Sequence, residues 1–173
     1  MASRVLIIDT SVLLCWLQVP GKDTCGPKDD KWDHKRISDL MKAEGEKNST
    51  FVLPIATLIE TGNHIAQASD NNRFERAGSL AAFLLATANE ETPWAAFTDQ
   101  SSLWQPEQLR SLAQAWPALA AGGISIGDAT IKDVAEHYAR ASFHVEIITG
   151  DAGLKAYEPA TSIPVPRRRG GKG

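Results

Sequence analysis

Three short apolar runs, separated by segments with helical spacing, constrain the fold of this chain more than any other feature. The runs are Val5–Ile8, Phe51–Leu53 and Val145–Ile148. Each is too short for a buried helix and is typical of a strand covered on both faces. Strands that alternate with helices form parallel sheets, because a parallel pair needs a long crossover connection. We therefore predict an α/β sandwich with a mainly parallel central sheet.

The segments between these strands carry apolar residues at helical spacing. The predicted helices cover about residues 10–17, a segment around Ile37 that ends near Gly45, residues 54–68, 73–89 and 106–121, a helix that begins near Ser125, and a short one after Gly153. Residues 93–97 are a weaker strand candidate. We expect the Leu and Trp residues of 103–116 to lie in the core, or to line a groove for a partner if they are exposed.

Length and composition indicate one soluble globular domain. The chain has 173 residues, 43% of them hydrophobic, and a net charge of −3. We predict a domain at residues 1–160 with a polar loop insertion at about 18–35, and a flexible Pro/Arg/Gly-rich tail at 161–173. No signal peptide or membrane-spanning run is evident, so we expect a cytoplasmic location without membrane contact. The two cysteines suggest neither a disulfide framework nor a zinc site.

Four acidic residues stand at or near the ends of the predicted core elements. Asp9 follows the first strand, Asp151 follows the last one, Asp128 opens a helix, and Glu60 lies on the polar stripe of another helix. Ligands of parallel α/β sheets bind beyond the carboxyl ends of the strands, where these elements meet. We therefore expect the four carboxylates to converge on one edge of the sheet.

Such a cluster needs a counter-charge. Two carboxylates about 4 Å apart repel each other by roughly 4 kcal/mol at an effective dielectric constant near 20, and no Lys or Arg adjoins the four acids in the sequence. A divalent Mg²⁺ or Mn²⁺ ion would reverse the sign of this energy. Each acid also has a plainer interpretation: a helix cap for Asp9, a solvated face for Glu60, a helix-start charge for Asp128 and a turn for Asp151. Asp133, five residues after Asp128, is expected to face solvent.

The segments that hold these acids resemble the four acidic motifs of PIN-domain ribonucleases, which include the VapC-type toxins. The segments are residues 5–14, 53–60, 126–129 and 147–151, in the order of the family, and the resemblance covers about residues 4–157. It implies a PIN-like fold, a three-layer α/β/α sandwich with a mainly parallel central sheet. It also implies an endoribonuclease that hydrolyses RNA phosphodiester bonds with a metal-activated water and one or two Mg²⁺ or Mn²⁺ ions. The resemblance assigns metal binding and catalysis to Asp9, Glu60, Asp128 and Asp151.

The resemblance also suggests supporting residues. Ser11 and Thr149 match hydroxyl positions that orient a carboxylate or a water. Asn63 and His64 share the polar stripe of Glu60 and are candidates for contact with a substrate phosphate or a metal-bound water, although such a stripe is also typical of an exposed surface. Basic and aromatic residues in the polar loop and the tail are candidates for RNA binding, with Trp32 stacking on a base, or else form a solvated surface. They are Lys31, Trp32, Lys35, Arg36, Arg167, Arg168 and Arg169.

Two other functions compete with the nuclease. A haloacid-dehalogenase-type phosphatase also begins with a strand and an Asp, but it requires a second acid two residues later, where this chain has Ser11. A catalytically silent PIN-like binding or scaffold module would be favoured by the loss of two or more acids. Within the nuclease interpretation, the possible partners are RNA, an antitoxin or another regulatory protein, and a second copy of the chain. The sequence does not separate RNA from DNA as substrate.

Overall fold

The computed structural model describes residues 3–160, so the predicted tail, with Arg167, Arg168 and Arg169, lies outside the described residues. The elements, in chain order, are β1 (Arg4–Ile8), α1 (Thr10–Trp16), β2 (Thr24–Cys25), β3 (Trp32–Asp33), α2 (His34–Glu46), β4 (Thr50–Val52), α3 (Ile55–Gln67), α4 (Arg73–Ala88), a 3₁₀ helix (Phe97–Trp104), α5 (Pro106–Ala121), α6 (Ile126–Arg140), β5 (His144–Ile148) and α7 (Ala152–Lys155).

The three strands predicted from the apolar runs form one parallel sheet. Their order is β4–β1–β5, so β1 is the central strand. Ile7 in β1 is in register with Val52 on one side and Ile147 on the other. The predicted α/β class and parallel sheet are therefore confirmed, and all three strands end at the same edge.

Helices cover both faces of the sheet. Leu6 and Ile8 point to one face, where they belong to a core cluster shared with helices α1 to α4. Val5 and Ile7 point to the other face and pack with residues of α6 and α7, such as Ile131. Side chains of a strand alternate between its faces, so a strand that is apolar at every position requires this coverage on both sides.

Helix α5 departs from the sequence prediction. No residue of Pro106–Ala121 is fully buried, although its Leu and Trp residues were expected in the core. The helix packs on α6 and on the 3₁₀ helix rather than on the sheet. Its apolar residues therefore remain half-buried or exposed, which leaves the alternative that they line a groove. No helix among residues 3–160 has both the length and the apolar character needed to cross a membrane.

The predicted polar loop is partly ordered. Within residues 18–35, Thr24 and Cys25 pair antiparallel with Trp32 and Asp33 to form a short ribbon, β2–β3. Helix α2 then starts at His34, with Asp33 as its cap. The weak strand candidate at 93–97 contributes only an isolated parallel bridge from Trp94 to Phe51, after which the chain enters the 3₁₀ helix.

A buried acid ties the end of α2 to the start of β1. Glu44 is 2% exposed and accepts hydrogen bonds from Arg4 at 2.9 Å, Lys47 at 2.9 Å and Ser49 at 2.7 Å. Burial alone would raise the pKa of Glu44, but the hydrogen bonds from Ser49 and Lys47 and the charge of Arg4 lower it overall. This network lies at the end of β1 opposite Asp9 and therefore stabilises the fold without entering the candidate site.

Candidate functional site

Asp9 lies directly after β1, caps α1 and is only 5% exposed. Its Oδ2 atom accepts hydrogen bonds from the Ser11 amide at 3.2 Å, the Ser11 hydroxyl at 2.6 Å and the Thr149 hydroxyl at 2.8 Å. No donor among residues 3–160 bonds to its other oxygen, Oδ1. The two predicted supporting hydroxyls thus hold one oxygen of Asp9 and leave the second one available to a ligand.

The same two hydroxyls connect Asp9 to Asp151. The Gly150 amide donates to the Ser11 hydroxyl oxygen at 3.0 Å, and the Asp151 amide donates to the Thr149 hydroxyl oxygen at 2.9 Å. Asp151 itself is exposed, and its Oδ1 caps α7 by accepting the Gly153 amide at 2.7 Å. The ends of β1 and β5 are therefore joined through side chains, which places both acids at one edge of the sheet.

Glu60 approaches this edge from α3 and is held by a residue that the sequence analysis did not identify. The Thr10 hydroxyl donates to Oε2 of Glu60 at 2.8 Å, while Thr57 on the same helix donates to the Ile8 carbonyl at 2.8 Å. The signal available in the sequence was the position of Thr10 next to Asp9, at the first residue of a helix. Thr10 and Thr57 together fix α3 against the carboxyl end of β1.

The buried face of α3 only partly matches the apolar face that its spacing predicts. That face comprises Ile55, Leu58, Ile59, Gly62 and Ile65 or Ala66, and of these only Ile65 is fully buried. Thr57, Thr61 and Ile65 are its buried residues, whereas Ile59 is 57% exposed. Thr57 is tolerated inside because its hydroxyl is hydrogen-bonded, which removes most of the cost of burying a polar group. This rotation of the helix sets Glu60 half-buried at the sheet edge and turns Ile59 outward.

Asp128 completes the set from the first turn of α6, where its amide donates to the Ser125 hydroxyl at 3.0 Å. Burial raises the pKa of its carboxyl, and the negative charges of Asp9 and Asp151 raise it further. Glu60 lies against the neighbouring residue Gly127, whose missing side chain makes room for the carboxylate. The four predicted acids thus come from four separate segments to the same edge of the sheet, where Asp128 lies within range of the charges of Asp9 and Asp151 and Glu60 lies beside Gly127.

Asp133 does not share this place, as predicted from its position on the helix. It is half-buried rather than solvent-facing, however, and lines a cavity of about 190 Å³ between α5 and α6. Its pKa is raised, chiefly by burial. Asp133 is half-buried because α5 packs against this side of α6. The spacing of residues along α6 alone does not predict that contact.

The charge around the four acids favours a cation. Within residues 3–160, no lysine or arginine forms an ion pair with Asp9, Glu60, Asp128 or Asp151. Carboxylates that repel one another without a nearby positive charge destabilise the fold until a cation or protons neutralise them. The pKa of Asp128 is raised first by burial and then by the negative charges of Asp9 and Asp151.

The carboxylate oxygens of these acids are suitable ligands for a divalent ion, but their side chains are not close enough to bind one as they stand. In Asp9, Glu60 and Asp151, one carboxylate oxygen is anchored by hydrogen bonds and the other is not, and hard oxygen donors suit Mg²⁺ and Mn²⁺. Yet no three His, Cys, Asp or Glu side chains of the described chain are gathered closely enough to form a complete metal-binding group. Binding would therefore have to draw the side chains together.

Two further predicted residues, Asn63 and His64, share the stripe of Glu60 on α3. Asn63 and His64 are exposed on α3, and neither is hydrogen-bonded to Glu60. The sequence placed them on the correct stripe of the helix, but that stripe leads from the sheet edge out to solvent. Their proposed contact with a substrate phosphate stays a prediction.

The expected stacking role of Trp32 does not fit its surroundings. The ring is 9% exposed, and the guanidinium of Arg36 lies 3.8 Å from its centroid. Arg36 also donates to the Lys31 carbonyl at 2.7 Å, and Lys35 is paired with Asp39 at 2.5 Å. A base cannot stack on a buried ring whose face is covered by a guanidinium, so Trp32 belongs to the core of the insertion.

The insertion nevertheless borders the site. A side chain at Gly150 would come within 2.6 Å of the Gly26 amide nitrogen and 2.9 Å of the Cys25 sulfur. Burial raises the pKa of the Cys25 thiol, with a smaller contribution from the charge of Asp9. Gly150 therefore allows the β2–β3 ribbon to pack directly against the loop that presents Asp151.

The chain was compared with protein families, curated proteins and solved structures. No family description, curated protein or solved structure matches the chain. The site therefore has to be interpreted from its own geometry and from the order of its motifs.

Proposed function

We propose that this protein is a metal-dependent endoribonuclease of the PIN type that hydrolyses RNA phosphodiester bonds with Mg²⁺ or Mn²⁺. One observation carries the proposal: Asp9, Glu60, Asp128 and Asp151 come from four segments to one sheet edge, and no lysine or arginine within residues 3–160 pairs with them. The order of the motifs and the three-strand parallel sheet between two helical layers are consistent with that family.

In the proposed site, each residue has a defined task. Asp9, oriented by Ser11 and Thr149, and Glu60, oriented by Thr10, would hold the ion together with Asp128 and Asp151. A bound divalent ion supplies an activated water and neutralises charge that develops on the phosphate. The protein contributes orientation, because hydrogen bonds to the ligands limit their rotation before substrate arrives.

The structure offers little support for the two competing functions. In the phosphatase mechanism the residue two positions after the first Asp is a carboxylic acid that acts as general acid. Here that residue is Ser11, whose hydroxyl donates a hydrogen bond to Asp9. A silent scaffold would be favoured by the loss of two or more of the acids, and all four are present. An antitoxin or other regulatory partner, and a homodimer, are further proposals that only solution experiments test.

The decisive experiment is cleavage of a labelled single-stranded RNA, with matched single-stranded DNA, in the presence of Mg²⁺, Mn²⁺ or EDTA. Asp128→Asn should abolish metal-dependent cleavage, whereas Asp133→Asn, on the same helix but outside the site, should retain it. Asp9→Asn should also be inactive and should lose Mn²⁺ binding in calorimetry. Cleavage that persists in EDTA, or in the Asp9 variant, would contradict the proposal. Absence of both cleavage and Mn²⁺ binding in the wild type would favour the scaffold.

A further inference from the structure

An apolar cavity adjoins the four acids, and the proposed function does not yet use it. It has a volume of about 340 Å³ and lies between α3, the 3₁₀ helix, α5 and α6. Glu60, one of the four acids, and Gly127, which lies against it, both line this cavity. The main apolar residues of its wall are Ile55, Ile59, Trp104, Leu109, Leu112 and Ile126.

Several exposed hydrophobic side chains of the protein line this cavity. Ile59 is 57% exposed, Ile126 50%, Leu109 41% and Trp104 36%. These are four of the eight large hydrophobic side chains that are exposed within residues 3–160. Isolated exposed hydrophobic residues are ordinary, but a concave cluster of them next to polar chemistry is typical of a binding site.

Position and size indicate the kind of occupant. Glu60 forms part of the cavity wall and is also one of the proposed metal-binding acids, so a nucleic acid cleaved at those acids must pass the mouth of the cavity. A volume of about 340 Å³ lies at the low end of small-molecule pockets, which hold about 300–1,000 Å³, and it suits one planar ring system. A stable protein interface instead covers about 800 Å² on each partner, far more than one such cavity provides.

On this basis we propose that the cavity receives one unpaired nucleobase of the substrate, next to the cleaved phosphate, with the base against the indole of Trp104. The proposal rests on the nuclease function and specifies its substrate as single-stranded at this position, because a base in a duplex cannot enter. Thr130, one of the few polar residues in the wall, already donates its hydroxyl to the Gly127 carbonyl at 2.7 Å. Stacking and apolar contact therefore dominate, and all four bases should be accepted with similar efficiency.

The test is a kinetic comparison of variants on a single-stranded oligoribonucleotide and on versions with one abasic nucleotide beside the cleaved bond. Trp104→Ala should lower kcat/KM about 5- to 150-fold, the range expected for loss of one stacked base, mainly through KM. Trp104→Phe should retain most of the activity. Leu109→Glu, at an exposed position of the wall, should also lower kcat/KM, while Leu85→Ala, exposed on α4 outside the cavity, should not.

The abasic substrates separate stacking from a general structural effect. In the wild type the abasic nucleotide should reduce kcat/KM at least as much as Trp104→Ala does, and it should cause a clearly smaller loss in that variant than in the wild type. Equal cleavage by wild type, Trp104→Ala and Leu109→Glu would overturn the proposal and leave the nuclease function intact. Self-association lost in Trp104→Ala, with unchanged cleavage, would overturn it in favour of a protein interface. If the wild type neither cleaves RNA nor binds Mn²⁺, the nuclease function itself fails, and the base pocket fails with it.

Discussion

Replacing Gly127 by alanine tests whether Glu60 must occupy the place in which the structure puts it. A methyl group on Gly127 would overlap Oε1 of Glu60 and lie 3.2 Å from its Cδ. An ordinary contact requires about 3.5–4.0 Å between such atoms, so the carboxylate would have to move. The carboxylate is the end of a flexible side chain and can move, and we expect this movement to weaken or break its hydrogen bond from Thr10.

The effects on stability and on activity should therefore separate. Alanine is more favourable than glycine within a helix by up to about 1 kcal/mol, and a hydrogen bond to a charged group contributes about 1.5–3 kcal/mol. These terms oppose each other, so the free energy of unfolding should fall by no more than about 3 kcal/mol. Loss of an oriented ligand typically reduces metal affinity or activity about 10- to 100-fold, and we expect that loss for Gly127→Ala.

The assay combines urea unfolding, Mn²⁺ calorimetry and RNA cleavage on one preparation. Gly78→Ala in α4 is the matched control, because a side chain there meets nothing within 4 Å. It should raise stability by about 0.5–1 kcal/mol and leave Mn²⁺ affinity and cleavage unchanged. The reasoning is refuted if Gly127→Ala binds Mn²⁺ and cleaves RNA like the wild type.

Three further predictions concern the hydrogen bonds and the charges. Thr10→Val should lower Mn²⁺ affinity about 10- to 100-fold in calorimetry, because Glu60 loses its donor, while Thr10→Ser, which keeps a hydroxyl, should stay close to the wild type. Saturating Mn²⁺ should raise the Tm of the wild type, corresponding to about 2.7 kcal/mol at 100 times Kd, and Asp9→Asn should show no such rise in differential scanning fluorimetry. The pKa of Glu44 is lowered on folding from an ordinary value of 4.5, so its stabilisation is complete above that value and is lost as the pH falls through the lower folded pKa. Urea unfolding between pH 6 and about pH 2.5 should therefore show a smaller acid-induced loss of stability for Glu44→Gln than for the wild type; an equal loss would exclude this role of Glu44.

Local pattern alone was sufficient for the sheet and for the edge where the acids meet. Val5–Ile8, Phe51–Leu53 and Val145–Ile148 could be recognised because a strand buried on both faces has few alternatives at that length. The positions of Asp9 and Asp151 followed directly, since the residue after a parallel strand lies at its carboxyl edge whatever the rest of the chain does. The positions of the three strands and their parallel arrangement can therefore be predicted from short segments of the sequence.

Tertiary structure decided everything that depends on how helices pack against one another. The hydrogen bond from Thr10 to Glu60 joins residues 50 positions apart, and the gap at Gly127 that admits Glu60 exists only because α3 and α6 meet there. Burial of Trp32 under Arg36 and exposure of Trp104 were likewise invisible in the sequence, where both tryptophans stand among polar residues. The periodicity of a segment reveals that one face is apolar, but the rotation of a helix is set by its neighbours. Contacts between segments distant in the chain, rather than the acids alone, therefore determine how this site is oriented and which surface beside it is open.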